Sequence, residues 1–370
     1  MTIAADGAGR FGAAFEWLGI ERAWTRTRGN PSVIIGIVDR GVQVDHPLIG
    51  PNIHPARGGA LADPGDHEVQ GTHAAGIAAG RLSEVASFSG VAPEARILPI
   101  RIAHGADTAA FDLAHAIEYA VEMGACIINV SHAANLELPA VRRAMQYAAA
   151  RNALIVSPAT SGPVHDEDDP VPNRISVLSI NDQLEPLVNH VPEAADIAAP
   201  GFGRVPEWRA SGHEMKEHVT LGPSYVSGCA ALVKAQNPAW GYHEIKEHLL
   251  ASAMSHPLLA NRDESVRALN VGNAVVGPIE LASNTPALEW SSLADATLAW
   301  KLHYRSPYCV NVVALYRPNG DEHWRELGYA RASALTMTIP ATALRRSSGV
   351  LRLTSRESNF YSEEIELKIR

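Results

Sequence analysis

Three separated segments of the chain end in side chains that could act together on a carbonyl group. Asp39 closes the apolar run of IVDRG, and His73 sits in GTHAAGIAAG. The stretch EHVTLGPSYVSGCAALV (217–233) offers hydroxyls at Thr220, Ser224 and Tyr225. A hydroxyl is a weak nucleophile at neutral pH. It needs an imidazole to take its proton, and the imidazole needs a carboxylate to fix its tautomer and balance its charge. Asp, His, hydroxyl is one of the chain orders in which that device occurs. Each residue also has a plain structural reading. An Asp at a strand end and a His at a helix start are common singly. Thr220 fits the N-cap of a helix with Pro223 in its first turn, where a missing N–H costs little, and Ser224 fits as a small packed residue.

The surrounding elements must bring these segments together. SVIIGIVD (32–39), ARILPIRI, CIINVS, ALIVSP and ISVLSIND are short apolar runs that read as buried strands. THAAGIAAG, FDLAHAIEYAVEMG and PAVRRAMQYAAARN between them have helical spacing. Such alternation from about 15 to 255 predicts an α/β domain with a mostly parallel sheet and helices on both faces. Sites in such sheets lie at the carboxyl ends of the strands. Past 273 the character changes. GPIELASNTPALEW is turn-rich, and LAWKLHY, CVNVVALY, ALTMTI, GVLRLT and EEIELKI read as short antiparallel strands of a small C-terminal β-sandwich-like domain without a catalytic cluster. The expected division is a catalytic-type domain over 1–272, a linker over 273–289 and an accessory domain over 290–370.

Composition narrows the class. The chain has 370 residues, and 40 acidic against 31 basic residues give a net charge of −9. That balance, without a basic run interleaved with aromatics, argues against nucleic-acid and anionic-membrane partners. No apolar run reaches the ~18–20 residues of a membrane span. The N-terminus lacks the charged and apolar regions of a signal peptide. Cys126, Cys229 and Cys309 lie far apart, two of them in apolar runs that suit buried free thiols. These features together predict a cytoplasmic protein.

The motifs resemble the subtilisin-like serine peptidases. VIIGIVDRGVQVDHPLI is similar to the family's strand, Asp-x-Gly and following His-Pro. GTHAAGIAAG resembles the His motif, FSGVAPEARILPIRI the segment after it, AADIAAPG the Ala-Pro-Gly signature, and YVSGCAALVKAQNP the second half of the nucleophile helix. The resemblance covers about 240 residues in the family's order. It implies a subtilisin-like fold, a peptide or protein substrate, His73 as general base and Asp39 as its orienter; no cofactor or metal is expected. Aligned without a gap, His218-Val219-Thr220 occupies the family's Gly-Thr-Ser, twenty positions after Pro200. Thr220 is then the acyl-accepting hydroxyl. The alternative nucleophile is Ser224, reading Gly222-Pro223-Ser224 as a worn Gly-Thr-Ser at the expense of an insertion and a matching deletion.

Further departures surround the implied cleft. Thr160 stands where the family has an oxyanion-donating Asn, and a shorter donor there costs about 10²–10³ in rate if the bond is lost. Ser131, His132, Ala133 and Ala134 stand on the edge that pairs with an extended substrate, where the family prefers Ser-Leu-Gly-Gly. Gln70 replaces a His before Gly-Thr-His, with no consequence attached. Two zinc-like motifs fail on spacing. HEMKEH (213–218) and HEIKEH (243–248) set their His pairs five apart, about 140° round a helix, and both read as solvated helix surface. HDEDDP (165–170) reads as an exposed acidic loop rather than a calcium site. EWLGIERAW resembles the family's mature beginning, which implies either a trimmed chain or a protein needing no zymogen control. Three functions fit these residues: a specialised peptidase acting by hydrolysis or acyl transfer, a pseudo-protease that binds extended peptides, and an Asp–His site repurposed for non-hydrolytic peptide modification.

Overall fold

The structure is a computed structural model. It describes residues 13–55, 70–84, 86–102, 109–131, 136–159, 171–187, 195–207, 212–255, 259, 266–282, 287–290, 295–340, 343 and 348–369. Two compact units divide the chain, residues 1–272 and 273–370.

The first unit is built on seven parallel strands, all of whose carboxyl ends open on one side. They are β1 (Ile34–Asp39), β2 (Arg96–Arg101), β3 (Ile127–Val130), β4 (Leu154–Pro158), β5 (Arg174–Ile180), β6 (Ile197–Pro200) and, after a hairpin of β7 (Phe202–Pro206) and β8 (His213–Glu217), β9 (Arg267–Ala268). The order across the sheet is β2-β1-β3-β4-β5-β6-β9. From β1 the chain goes first to one side and then to the other, which makes the gap beyond the ends of β1 and β3 a topological switch point. The helices are α1 (Ala13–Leu18), α2 (Ile20–Ala23), α3 (Gln70–Ala79), α4 (Ala109–Glu122), α5 (Pro139–Ala149), α6 (Leu221–Gln236) and α7 (Tyr242–Ser252), and α8 (Val271–Val276) runs across the boundary into the second unit.

Strand residues point alternately to the two faces. On one face Val38, Ile128, Val130 and Ile155 join a core with Leu113, Ile117, Val141 and Met145 of α4 and α5. On the other, Asn129 meets Ser227 of α6, whose Oγ donates to the Asn129 side chain at 3.0 Å. Helices therefore cover both faces, which is why the strands read as continuous apolar runs. The helices α3 and α6 carry mainly Gly, Ala and Ser, and this lets them approach closely. A Cβ added at Gly228 would stand 2.7 Å from the Ala78 carbonyl oxygen and 2.6 Å from the Val91 Cβ.

The second unit holds β10 (Ile279–Leu281), β11 (Ala287–Trp290), β12 (Ala296–Leu302), β13 (Asn311–Pro318), β14 (Arg325–Arg331), β15 (Thr336–Ile339), β16 (Gly349–Ser355) and β17 (Ile365–Ile369). A three-stranded sheet, β10-β12-β15, and a five-stranded one, β11-β17-β16-β13-β14, enclose a core with Trp300, Tyr316 and Leu353. Three details differ from the sequence expectation. The turn-rich stretch up to 290 supplies β10 and β11. The strand β14 has too many charged and polar residues to stand out. The pair β11–β17 is parallel, although the rest of the sheet is antiparallel. Cys126, Cys229 and Cys309 are free thiols, Cys126 half-buried and the other two buried.

The two His-rich motifs also differ from expectation. HEMKEH supplies β8, not a helix, because it pairs with β7 from Phe202↔Glu217 to Pro206↔His213. HEIKEH is helical in α7, yet only its first His is solvated. His248 is fully buried with its ring edge-on to Trp240.

Candidate active site

Asp39 is the last residue of β1 and is buried. Its Oδ1 accepts the Arg40 backbone N–H at 2.7 Å. The Asp-x-Gly turn follows, with Gly41 at φ +139°, a conformation that suits glycine. The first turn of α3 packs directly on this turn. A Cβ at Gly71 would run into the Gly41 carbonyl oxygen and would stand 3.0 Å from Asp39 Cβ. Thr72 fastens the same junction, its Oγ1 accepting the Gln43 N–H at 2.8 Å. Gly-Thr-His is thus a local grammar. Glycine lets the helix touch the strand end, threonine ties the loop, and His73 follows on the next position of the turn.

His73 is buried, and its Nε2 has no hydrogen-bond partner. Glu214 on β8 approaches that nitrogen, with Oε1 at 3.8 Å. Glu214 and Lys216 share one face of β8, and the lysine holds the other carboxylate oxygen at 3.0 Å. Burial lowers the His73 pKa to about 4, against the pull of Glu214 and with a push from Lys216 and His218. The ring is neutral at neutral pH and able to accept a proton. Among the described residues no hydrogen bond joins His73 to Asp39 or to Thr220, so the three do not form a closed relay in this state.

Thr220 stands at the N-cap of α6 but does not cap it, contrary to the sequence expectation. Its backbone is helical (φ −83°, ψ −10°), whereas a capping side chain needs extended backbone to reach forward. The third residue of the helix is Pro223, which has no N–H to receive. The Thr220 hydroxyl is left for another partner, and that partner is His218, whose Nδ1 lies 2.9 Å from Oγ1. The other ring nitrogen of His218 meets the side-chain amide of Gln70 at 3.2 Å. A Gln70–His218–Thr220 chain thus joins the start of α3 to the start of α6. Burial lowers the His218 pKa as well.

Ser224, the alternative nucleophile, is fully buried and donates its hydroxyl to the Thr220 carbonyl at 3.3 Å, within its own helix. Tyr225 donates to the Phe202 carbonyl at 3.1 Å and pins α6 to the hairpin. Ser131 follows β3, its Oγ accepting Asn129 Nδ2 at 3.0 Å and its N–H donating to Val38 at 3.2 Å. Asn129 and Ser227 complete this buried link between the end of β3 and α6. Ser179 Oγ donates to the Val219 carbonyl at 2.6 Å and holds the residue before Thr220 against β5. Thr160, His132, Ala133, Ala134 and the acidic loop 165–170 lie outside the described residues.

The sequence expectation gives His218, Gln70 and Glu214 no functional role. One signal was available for two of them. His218 replaces the Gly of Gly-Thr-Ser and Gln70 replaces the His before Gly-Thr-His, and these two departures touch each other.

The sequence profile of the subtilase family matches residues 30–275, and the chain belongs to that family. It is 30% identical to subtilisin BL of Lederbergia lenta over 235 residues, which is 60% of this chain and 86% of the relative. It is 29% identical to the thermophilic serine proteinase of Bacillus sp. strain AK1 over 224 residues, 58% of this chain. The chain spans 55% of that relative's length and 51% of the length of halolysin from Haloferax mediterranei. Among solved structures, the fold is similar to MycP1 from Mycobacterium smegmatis, with a TM-score of 0.56 at 23% identity, covering 71% of this chain and 83% of that one. It is also similar to the prenylagaramide maturation protease PagA, with a TM-score of 0.54 at 26% identity, covering 70% of this chain and 97% of that one.

Proposed function

We propose that the protein is a subtilisin-type peptidase with a narrow choice of peptide, in which Thr220 is the acyl-accepting hydroxyl and His73 with Asp39 is the family's acid–base pair. The observation that carries the Thr220 part of this reading is its buried hydroxyl at the start of α6, bonded to the His218 imidazole at 2.9 Å and turned away from its capping task. Thr160 is the proposed oxyanion donor and Ser131–Ala134 the proposed peptide-pairing edge. Low general activity follows from the chemistry. The β-methyl of Thr220 restricts χ1 and crowds the attack, and a threonine hydroxyl is a shorter oxyanion donor than an asparagine amide. The prenylagaramide maturation protease PagA, whose fold is similar, fits by its name the processing of a dedicated peptide.

The His73–Glu214 contact does not oppose this. The Glu214–Lys216 pair that borders His73 is partly exposed, and such pairs contribute about 0–1 kcal/mol. An entering peptide can therefore displace it, and catalytic hydrogen bonds commonly tighten only once substrate is bound. Casein and a pooled peptide library should be cut slowly by the full-length protein, and His73→Ala should abolish the cutting. Unchanged cutting in that variant would remove His73 from the mechanism.

One observation favours a second reading, a pseudo-protease that binds an extended peptide without cleaving it. A Glu214 carboxylate oxygen lies 3.8 Å from His73 Nε2, and among the described residues no hydrogen bond joins that nitrogen to the Thr220 hydroxyl. On that reading a captured peptide survives long incubation intact, whereas fragments that depend on His73 exclude it.

A further inference from the structure

If Thr220 is the acyl-accepting hydroxyl, as proposed above, its proton needs an acceptor, and the atom in contact with it is not on His73. His218 Nδ1 lies 2.9 Å from Thr220 Oγ1 and also faces the Thr220 backbone N–H at 3.3 Å. A backbone N–H can only donate, so Nδ1 is the lone-pair nitrogen and Nε2 carries the ring hydrogen. Gln70 Nε2 stands 3.2 Å from His218 Nε2; two N–H donors cannot bond each other, so the side-chain amide is turned over and its oxygen accepts the Nε2–H, the orientation that the hydrogen-bond network demands. The resulting chain runs from the Thr220 O–H to His218 Nδ1, and from His218 Nε2–H to the Gln70 carbonyl. It has the base-and-orienter logic of a catalytic triad with an amide in the carboxylate's place.

We propose that His218, in the role given above to His73, is a catalytic residue that takes the Thr220 proton, and that Gln70 is the positioning residue that fixes its tautomer. As Oγ1 attacks the scissile carbonyl, the O–C bond forms and the carbonyl π pair moves to its oxygen. The hydroxyl proton passes to Nδ1. When the C–N bond breaks, the same proton passes from Nδ1 to the departing amine.

The pairing also predicts the pH response. The charged and titratable groups near His218 are His73 of α3, with which it interacts electrostatically, and Glu217, its neighbour in the chain on β8. Gln70 gives the imidazolium no counter-charge, and burial already holds the ring below its ordinary value. The base form therefore persists to lower pH than an imidazole backed by a carboxylate.

The test is acetylation of the full-length protein by p-nitrophenyl acetate, read as nitrophenolate release and as acetyl mass on Thr220, across pH. His218→Asn keeps a hydrogen-bonding atom near the place of Nδ1 but is no base. It should slow acetylation about 10²–10⁴-fold, where a merely structural ring would be rescued. Gln70→Glu should move the acid limb of the rate upward, because a carboxylate stabilises the imidazolium. Gln70→Glu decides alone if His218→Asn does not fold. A wild-type rate in His218→Asn, or an unmoved limb in Gln70→Glu, would overturn the assignment while leaving Thr220 as nucleophile. No acetyl on Thr220, or acetylation that persists in Thr220→Val, would overturn the parent reading and this inference with it.

Discussion

Thr220 is a nucleophile candidate with its own handicap, and the handicap is removable. Serine at the position keeps the hydroxyl and its contact to His218 while deleting the β-methyl that restricts χ1. Thr220→Ser should raise the acetylation rate, and a fall would mean that the methyl holds the hydroxyl in its working rotamer. His73 makes a second residue-scale prediction. Its folded pKa, lowered to about 4 by burial, lies below the ordinary 6.5 of the unfolded chain. Between those values the unfolded chain binds a proton that the folded protein does not, so stability is present above pH 6.5 and is lost as pH falls toward 4. The full effect of one such proton is about 1.4 kcal/mol per pH unit. The unfolding midpoint should decline over that window in the parent and decline less in His73→Gln. Equal slopes would show that the ring is accessible to protons in the folded state.

Elements hold these side chains through a few buried polar ties rather than through the site itself. Ser227 on α6, Asn129 on β3 and Ser131 beyond it form one chain of hydrogen bonds with no exposed member. Ser227→Ala would leave the Asn129 carbonyl oxygen without its donor, at a cost of about 1–3 kcal/mol. Urea unfolding would measure it, and a loss below about 0.5 kcal/mol would show that a water or a shifted Asn129 replaces the hydroxyl. This scale also separates what was legible in the sequence from what was not. The strands β1, β3, β4 and β5 were legible because sheets buried on both faces need uninterrupted apolar runs. Asp39 and His73 were legible because Asp-x-Gly and Gly-Thr-His are local packing solutions written in adjacent residues. His218 and Gln70 were not, since 148 positions separate them and only the packing of α3 on α6 makes them partners. HEMKEH and HEIKEH are nearly the same string, one a strand and one a helix. Pairing with β7 decides the first and the apolar face of α7 the second, so tertiary context overrides what local spacing can say.

At the scale of the molecule, the family match ends at residue 275, close to the boundary at 272 between the two compact units. The subtilase match therefore falls on the first unit, and the stability of the second can be asked of it alone. It has the parts for that. Two sheets close over a core in which Trp300 is almost fully buried and donates its Nε1–H to the Ala332 carbonyl at 2.9 Å. Tyr316, Leu351, Leu353, Phe360 and Leu367 are fully buried in the same unit. A domain of this size with one contiguous core is large enough to fold alone. Residues 273–370 expressed by themselves should unfold in a single cooperative urea transition. Trp300→Ala should cost that transition about 3–5 kcal/mol, the range for deleting a large buried aromatic. Trp300→Phe should cost less, since it keeps most of the volume and loses the hydrogen bond. A gradual, non-cooperative loss of structure in the isolated segment would show that its sheets need the rest of the chain to form.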